Sequence, residues 1–303
     1  MKKLFYICNL HSGKAKTAAK LAMIVDHFTK YGYDVTVHPT QEKLDASNSA
    51  EYACNNGYDL IVCSGGDGTL NEVIQGLMKS EKKIPIGYLP SGSTNDFARS
   101  MTIPTNLEKA VEYIANGTPK SCDIGSLNNR HFTYIAAFGA FTKVPYNTSQ
   151  SAKNILGYVA YILNGMSYLN KIESYHMKIS YDDKVIEDDF VFGMVTNSSS
   201  VAGVLSLNDF QYDDGIYEVT LIKTPKDLKE LHRIIHSLIN FNTKLDERYI
   251  SYFRTSKIKF ECSKAISWTV DGEFGGSYKI SEVENINKAV EIIVHDDNGK
   301  SKR

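Results

Sequence analysis

Short apolar runs alternate with amphipathic stretches through the first 120 residues. Lys3–Cys8 is a compact apolar run and predicts a buried strand, followed by a glycine turn and a helix from about Lys14 to Tyr31. Gly32 stands where a left-handed helix cap is wanted, because glycine has no Cβ to clash there. Tyr33–His38 predicts the next strand, and a polar stretch then leads into a helix over Ser47–Asn56. Asp59–Cys63 and Ile84–Leu89 are continuous apolar runs separated by a helical pattern, as expected of parallel strands buried on both faces. Strands joined through helices imply right-handed crossovers and an open parallel sheet.

The texture changes after about Pro119. Period-two alternation marks Tyr175–Tyr181, Val185–Thr196, Tyr217–Ile222, Ile258–Cys262 and Ala289–Val294. Turn signals at Asp182-Asp183, Asp213-Asp214-Gly215 and Asp271-Gly272 punctuate these segments, which predicts a mainly antiparallel second domain. Helices are expected near Ile155–Leu169 and Pro225–Ile239. The predicted division is therefore 1–120 and 121–303, with the C-terminal tail free to return to the first domain.

Composition narrows the class without naming a function. The 303 residues are 42% hydrophobic and 23% charged, enough apolar material for two cores. A formal net charge of -1 gives no global attraction to nucleic acid or anionic membrane. Locally, Lys2, Lys3, Lys14, Lys16, Lys20 and Lys30 face one acid, Asp26, in the first thirty residues. That can serve phosphates or an anionic lipid surface, although a solvated helix face explains it as well. The five cysteines are odd in number and lack metal-ligand spacing, so they read as buried thiols of a reducing compartment. No apolar stretch approaches the ~18 residues that span a bilayer. His232 and His236 have helical i,i+4 spacing but no zinc-protease glutamate, and a solvated face is the simpler account.

Chemistry concentrates in loops that follow strands of the first domain. In an open parallel sheet the ligand crevice lies outside the carboxyl ends of the strands. Cys63-Ser64-Gly65-Gly66-Asp67-Gly68-Thr69 places three glycines in four positions, so the backbone can approach a ligand and aim N–H groups at it. Thr69 is expected to cap a helix with Leu70, Val73, Ile74 and Leu77 on its apolar face, putting a positive helix end at the phosphates. Asp67 beside phosphate is repulsive unless it holds a metal or a proton, which points to chemistry with Mg²⁺. The spacing is neither Gly-x-Gly-x-x-Gly nor Walker A. Pro90-Ser91-Gly92-Ser93-Thr94-Asn95-Asp96 and Asn9-Leu10-His11-Ser12-Gly13-Lys14 repeat the logic at two further strand ends.

The Gly65–Thr69 loop with Asn71-Glu72-Val73 behind it, together with Gly92-Ser93-Thr94-Asn95-Asp96-Phe97-Ala98-Arg99, resembles the diacylglycerol kinase catalytic domain family. The length and layout are similar to its soluble bacterial branch. The resemblance implies an N-terminal phosphofructokinase/NAD-kinase-like α/β domain, a C-terminal antiparallel β-sandwich and an active site in the cleft between them. It implies ATP contacts from Asn9, Leu10, His11, Ser12, Gly13, Thr40, Gly66, Asp67, Gly68, Thr69, Leu70, Asn71, Glu72 and Thr94. It implies catalytic roles for Asp67, Asp123 and Glu273, the last as general base, and a structural Mg²⁺ at Gln211, Asp214 and Ile216. Taken alone, Asp123 reads as a turn or cap residue, and Asp271-Gly272 and Asp213-Asp214-Gly215 read as β-turns. Leu10 stands where the family usually has proline, and Ser93 where it often has threonine.

The implied activity is transfer of the ATP γ-phosphate to diacylglycerol, with Mg²⁺ as cofactor. The implied setting is cytoplasmic, peripheral at the inner membrane surface, without nucleic acid; a homodimer is left open. The Ile155–Leu169 helix is a candidate wall for the acyl chains. An NAD kinase, a kinase of another lipid alcohol and a non-catalytic nucleotide- or lipid-binding regulator remain alternatives at this point.

Overall fold

The structure, a computed structural model, describes residues 1–10, 12, 16–93, 95–139, 173–197, 200–201, 205–206, 211–239 and 245–295. Two compact units divide the chain, Met1–Cys122 with the stretch from Lys288, and Asp123–Asn287. The fold is mixed α/β with many antiparallel strands. The expected helix Ile155–Leu169 lies outside the described residues.

The first unit is built on β1 (Lys2–Cys8), β2 (Tyr33–Pro39), β3 (Leu60–Gly65) and β4 (Ile86–Pro90), with α1 (Lys16–Lys30), α2 (Asp45–Asn55) and α3 (Asp67–Lys79) as crossovers. β2, β1, β3 and β4 pair in that order and all run parallel. A short α4 (Asp96–Ser100) and α5 (Leu107–Asn116) follow. β3 and β4 are buried along their whole length, the reason their sequences are apolar runs and not alternations. Leu4, Tyr6, Leu60, Val62 and Leu89 of the sheet pack with Phe28 of α1 and Val111 and Ile114 of α5. Gly32 has φ +84° and donates its N–H to the Thr29 carbonyl, closing α1 as a glycine cap.

α2 and α3 meet so closely that a Cβ on Gly76 would lie 2.1 Å from the Ser47 carbonyl oxygen and 2.9 Å from Ala50 Cβ. Helix propensity favours Gly76→Ala by about 1 kcal/mol. A backbone carbonyl cannot rotate aside, however, and overpacking of this kind costs about 3 kcal/mol. Gly76→Ala is therefore expected to lower the midpoint of denaturant unfolding despite adding a better helix former. An unchanged or raised midpoint would show that the two helices can separate freely.

The second unit is antiparallel. β5 (Thr118–Leu127) and β6 (Arg130–Phe132) enter it, followed by β7 (Ile135–Gly139), β8 (Tyr175–Tyr181), β9 (Lys184–Thr196) and the short pair β10 (Ser200–Val201) and β11 (Leu205–Ser206). β12 (Tyr217–Lys223), α6 (Leu228–Ile239), β13 (Ile250–Thr255), β14 (Lys257–Val270) and β15 (Glu273–Val294) complete the chain. β9 pairs with β12, β7 and β8, and β14 pairs with β7, β8 and β15. Phe138, Phe260 and Trp268 form the centre of its core, with ring centroids 5.0 to 5.7 Å apart. The indole Nε1 of buried Trp268 donates to Ser281 Oγ, so the large ring is buried without an orphaned donor.

Element lengths differ from the sequence expectation in two places. Ile258–Cys262 and Ala289–Val294 are pieces of the much longer β14 and β15. Register shifts between Glu261 and Ile266 and between Trp268 and Thr269 interrupt their alternation, so a strict period-two pattern ends before the strand does. α6 buries Leu231, Ile234 and Ile235 and leaves His232 and His236 exposed, so the histidine pair is a solvent face.

Candidate functional site

The register of the parallel sheet brings four loops to one edge. Cys8 lies opposite Pro39 and Ser64, and Gly65 opposite Pro90. The ladder runs one step further, with Asn9 N donating to Ser64 O at 2.8 Å, Thr40 N to Cys8 O at 3.0 Å and Ser91 N to Gly65 O at 2.8 Å. Asn9, Thr40, Gly66 and Ser91 thus leave their strands side by side. Ser12 Oγ and Ser91 Oγ share a hydrogen bond of 2.7 Å, tying the first loop to the fourth.

A cleft of about 540 Å³ opens there. Of the residues expected to contact ATP, Asn9, Ser12, Thr40, Gly66, Gly68, Thr69 and Glu72 line it. His11, Gly13 and Thr94 lie outside the described residues. Leu10 packs against the apolar core of the unit. Leu70 is fully buried and its N–H donates to Gly66 O, so its side chain belongs to the core and not to the cleft. Asn71 accepts from Gln75 Nε2 along the helix. Asp67 is not a lining residue; its Oδ1 accepts from Phe97 N at 3.2 Å, joining α3 to α4.

Thr69 is not the cap of α3. The helix begins at Asp67 with Gly66 as N-cap, and Thr69 N donates to Gly66 O at 3.0 Å. Asp67, Gly68 and Thr69 therefore form the first turn itself, which places the Asp67 carboxylate at the positive end of the helix. The glycines matter for a second reason. A Cβ on Gly92 would meet Gly66 Cα at 2.5 Å, and a Cβ on Gly65 would meet Thr69 Oγ1 at 2.4 Å. The two phosphate-type loops approach each other through bare backbone. Gly92→Ala is expected to pry them apart and weaken nucleotide binding about tenfold, since misplacing binding groups by about 1 Å is enough for such losses. Nucleotide titration of the variant checks this, and an unchanged affinity would remove Gly92 from the site.

Gln41, Glu42 and Lys43, which the motif reading did not single out, also line the cleft. Asp45 anchors their loop: its carboxylate accepts from Gln41 N at 2.8 Å and bonds His38 Nε2 at 2.9 Å. Burial works to raise the Asp45 pKa, but these bonds and one from Ser49 outweigh it and hold the carboxyl below its ordinary value. The polar stretch after β2 was the only signal in the sequence, and it does not distinguish a ligand loop from any surface loop.

The basic face expected of α1 is partly neutralised within the first unit. Lys20 pairs with Glu108 at 2.9 Å and Lys30 with Asp26 at 2.6 Å. Four of the five cysteines are buried and Cys262 is half-buried, all as free thiols; burial pushes Cys8 up to about 11. That is the state of inert packing thiols.

The second unit holds the other expected acids. Asp123 is fully buried; its Oδ2 accepts from Gly215 N at 2.7 Å and its Oδ1 from Asn287 Nδ2 at 3.0 Å. Its backbone N donates to Tyr212 O and its carbonyl accepts from Asn197 Nδ2. Asp123 and the Tyr212–Gly215 turn are thus one bonded cluster, which no local sequence signal announces. Within that turn Asp214 Oδ1 accepts from Ile216 N at 3.0 Å, and Asp214 Oδ2 accepts from the Arg254 guanidinium. Arg254 Nε also lies 3.3 Å from Glu218 Oε1, while Gln211 is exposed. Burial pushes the Glu218 carboxyl up to about 7, with Arg254 pulling it down and Asp214 adding to the rise.

Asp271 and Gly272 form the turn between β14 and β15, with φ of +46° and +85°. Positive φ at both central positions is the primed turn that suits the twist of a hairpin. The Asp271 carboxylate accepts from Thr133 N, Thr133 Oγ1, Tyr134 N and Ile135 N, four bonds that oppose the upward pull of burial on its pKa. Glu273, the next residue after the turn, is exposed and 3.4 Å from Arg130. Its backbone pairs with Val270 in the β14–β15 ladder, and its carboxylate is more than half exposed.

Residues 3–127 match the description "Diacylglycerol kinase catalytic domain". The chain is 31% identical to a diacylglycerol kinase of Bacillus subtilis (strain 168) over 97% of each chain. It is 30% identical to a diacylglycerol kinase of Staphylococcus carnosus (strain TM300), covering 96% of this chain and 94% of that one. A crystal structure of a diacylglycerol kinase from Bacillus anthracis str. Sterne superimposes over 97% of both chains with a TM-score of 0.74 at 23% identity, a likeness of fold. Another structure from the same organism reaches a TM-score of 0.79 at 25% identity.

Proposed function

Because the chain belongs to the diacylglycerol kinase family, we propose that it transfers the γ-phosphate of ATP to the free hydroxyl of diacylglycerol, giving phosphatidic acid and ADP. The observation that carries the reading is the cleft at the carboxyl edge of the parallel sheet, where Gly66 and Gly92 bring two loops into backbone contact distance. Phosphoryl transfer asks the protein mainly for positioning and charge stabilisation, and a glycine cradle at a helix N-terminus supplies both.

Each residue then has a task. The backbone around Gly66, Gly68 and Thr69 would hold phosphate oxygens, with Asn9, Ser12 and Thr40 lining the same cleft. Thr69 and Glu72 in the cleft, and Asp67 at the start of α3, carry oxygen atoms only, the ligand type that suits Mg²⁺. Mg²⁺, when bound by them, supplies positive charge that neutralises the phosphates. Glu273 would accept the proton of the acceptor hydroxyl as the oxygen forms its bond to phosphorus, and Asp123 would be the second catalytic aspartate. In this reading the first unit is a phosphofructokinase/NAD-kinase-like nucleotide domain, and the second is a β-sandwich that takes the lipid. Among the described residues no helix is long and apolar enough to cross a membrane. The acceptor would accordingly be taken from a membrane surface.

The test is purified protein with γ-labelled ATP and Mg²⁺, offered diacylglycerol micelles, other lipid alcohols and NAD in parallel. Label in phosphatidic acid is the expected result. Label only in NADP, or in another lipid alcohol alone, would replace the acceptor. ATP binding without transfer to any of them would replace catalysis with nucleotide sensing.

A further inference from the structure

The Asp213–Ile216 turn carries the residues that resemble a structural Mg²⁺ site, yet its one expected ligand carboxylate, Asp214, is already paired with a cation of the protein. β12 and β13 pair antiparallel with Glu218 opposite Arg254, so the ladder itself delivers the arginine to the turn. Its guanidinium donates to Asp214 Oδ2 and lies 3.3 Å from Glu218 Oε1, bridging two carboxylates with one planar cation. The second oxygen of Asp214 is occupied by the Ile216 N–H. The backbone of the turn is held too, Gly215 N by Asp123 Oδ2 and Asp213 O by Asn287 Nδ2. Mg²⁺ needs about six oxygens in a near-octahedral shell at about 2.1 Å. Here the one carboxylate in the expected ligand set has a donor on each oxygen, and an incoming dication would sit against a fixed positive charge.

We infer that the Arg254 guanidinium is the resident cation of this turn, standing where a divalent ion was expected, so that the support of Asp123 does not depend on metal. The pair ties β13 to the turn, the turn ties Gly215 to Asp123, and the chain of bonds closes without an added ion. This makes Arg254 a positioning residue for Asp123. The inference uses the kinase reading only for the importance of Asp123, and its test involves neither nucleotide nor acceptor, so either can fail alone.

The experiment titrates Mn²⁺ into the full chain without nucleotide, following free Mn²⁺ by electron paramagnetic resonance, and records thermal midpoints in EDTA and in Mg²⁺. Wild type and Asp214→Asn are expected to bind Mn²⁺ identically, and the wild-type midpoint is expected to be indifferent to Mg²⁺. Arg254→Ala, which uncovers two carboxylates, is expected to bind Mn²⁺ tighter than wild type by roughly tenfold or more, because a like charge has been removed beside the ion. A wild-type Mn²⁺ site that Asp214→Asn abolishes would overturn the inference. So would a Mg²⁺-dependent rise in the wild-type midpoint that disappears in Asp214→Asn. If Arg254→Ala does not fold, the comparison of wild type with Asp214→Asn decides the matter without it.

Discussion

Asp67→Asn is expected to lower kcat for lipid phosphorylation by about a thousandfold while leaving the chain folded, since loss of one organised charge at a phosphoryl-transfer centre costs on this scale. Asn retains the carbonyl-type oxygen that accepts from Phe97 N, so the bond between α3 and α4 survives the change. What disappears is the negative charge at the first turn of α3. There it enjoys the helix dipole and stands beside the glycine cradle that would hold phosphate. The measurement is kcat from label transfer, with the unfolding midpoint and nucleotide affinity recorded on the same preparation. A rate within tenfold of wild type would remove Asp67 from the catalytic machinery. A comparable fall in midpoint would make its role structural.

Glu273→Gln should reduce kcat by about 10² to 10⁴, the range of a lost general base, with KM for ATP nearly unchanged. Gln keeps the shape and can still meet Arg130, whose 3.4 Å contact with Glu273 is half-exposed and worth little to stability. The turn before it depends on Asp271, whose carboxylate holds Thr133, Tyr134 and Ile135. The backbone at 273 is therefore expected to stay in place in the variant. Single-turnover transfer to diacylglycerol separates chemistry from product release. If transfer proceeds at the wild-type rate, the hydroxyl proton leaves by another route. Asp271→Asn offers a contrast: it should reduce stability as well as rate, because one oxygen acceptor of a half-buried four-bond cluster becomes a donor.

Local chemistry made much of this protein legible. The apolar runs of β1, β3 and β4 and the glycine cap at Gly32, with φ +84°, state their conformations within a few residues, because φ freedom and periodicity are local properties. The same rules read the helix of α3 but misplaced its start. Thr69 is an ordinary capping residue by type, and only the Gly66 carbonyl, which accepts from both Thr69 and Leu70, shows that the turn begins earlier. Leu70 is buried as the apolar periodicity of α3 expects, and not in the cleft as the resemblance implied.

The sequence by itself therefore determined the alternation of strand and helix, the antiparallel texture after residue 120, and the residue types available for phosphate and proton chemistry. Tertiary structure alone decided which of them meet. Gly66 and Gly92 approach because β3 and β4 are neighbours in the sheet, and Asp123 joins Gly215 and Asn287 across 92 and 164 residues of chain. Arg254 reaches Asp214 because the β12–β13 ladder aligns it there, 40 residues away. Such pairings are set by strand register and packing, which sum contributions from the whole chain, and a local pattern of residues carries no record of them.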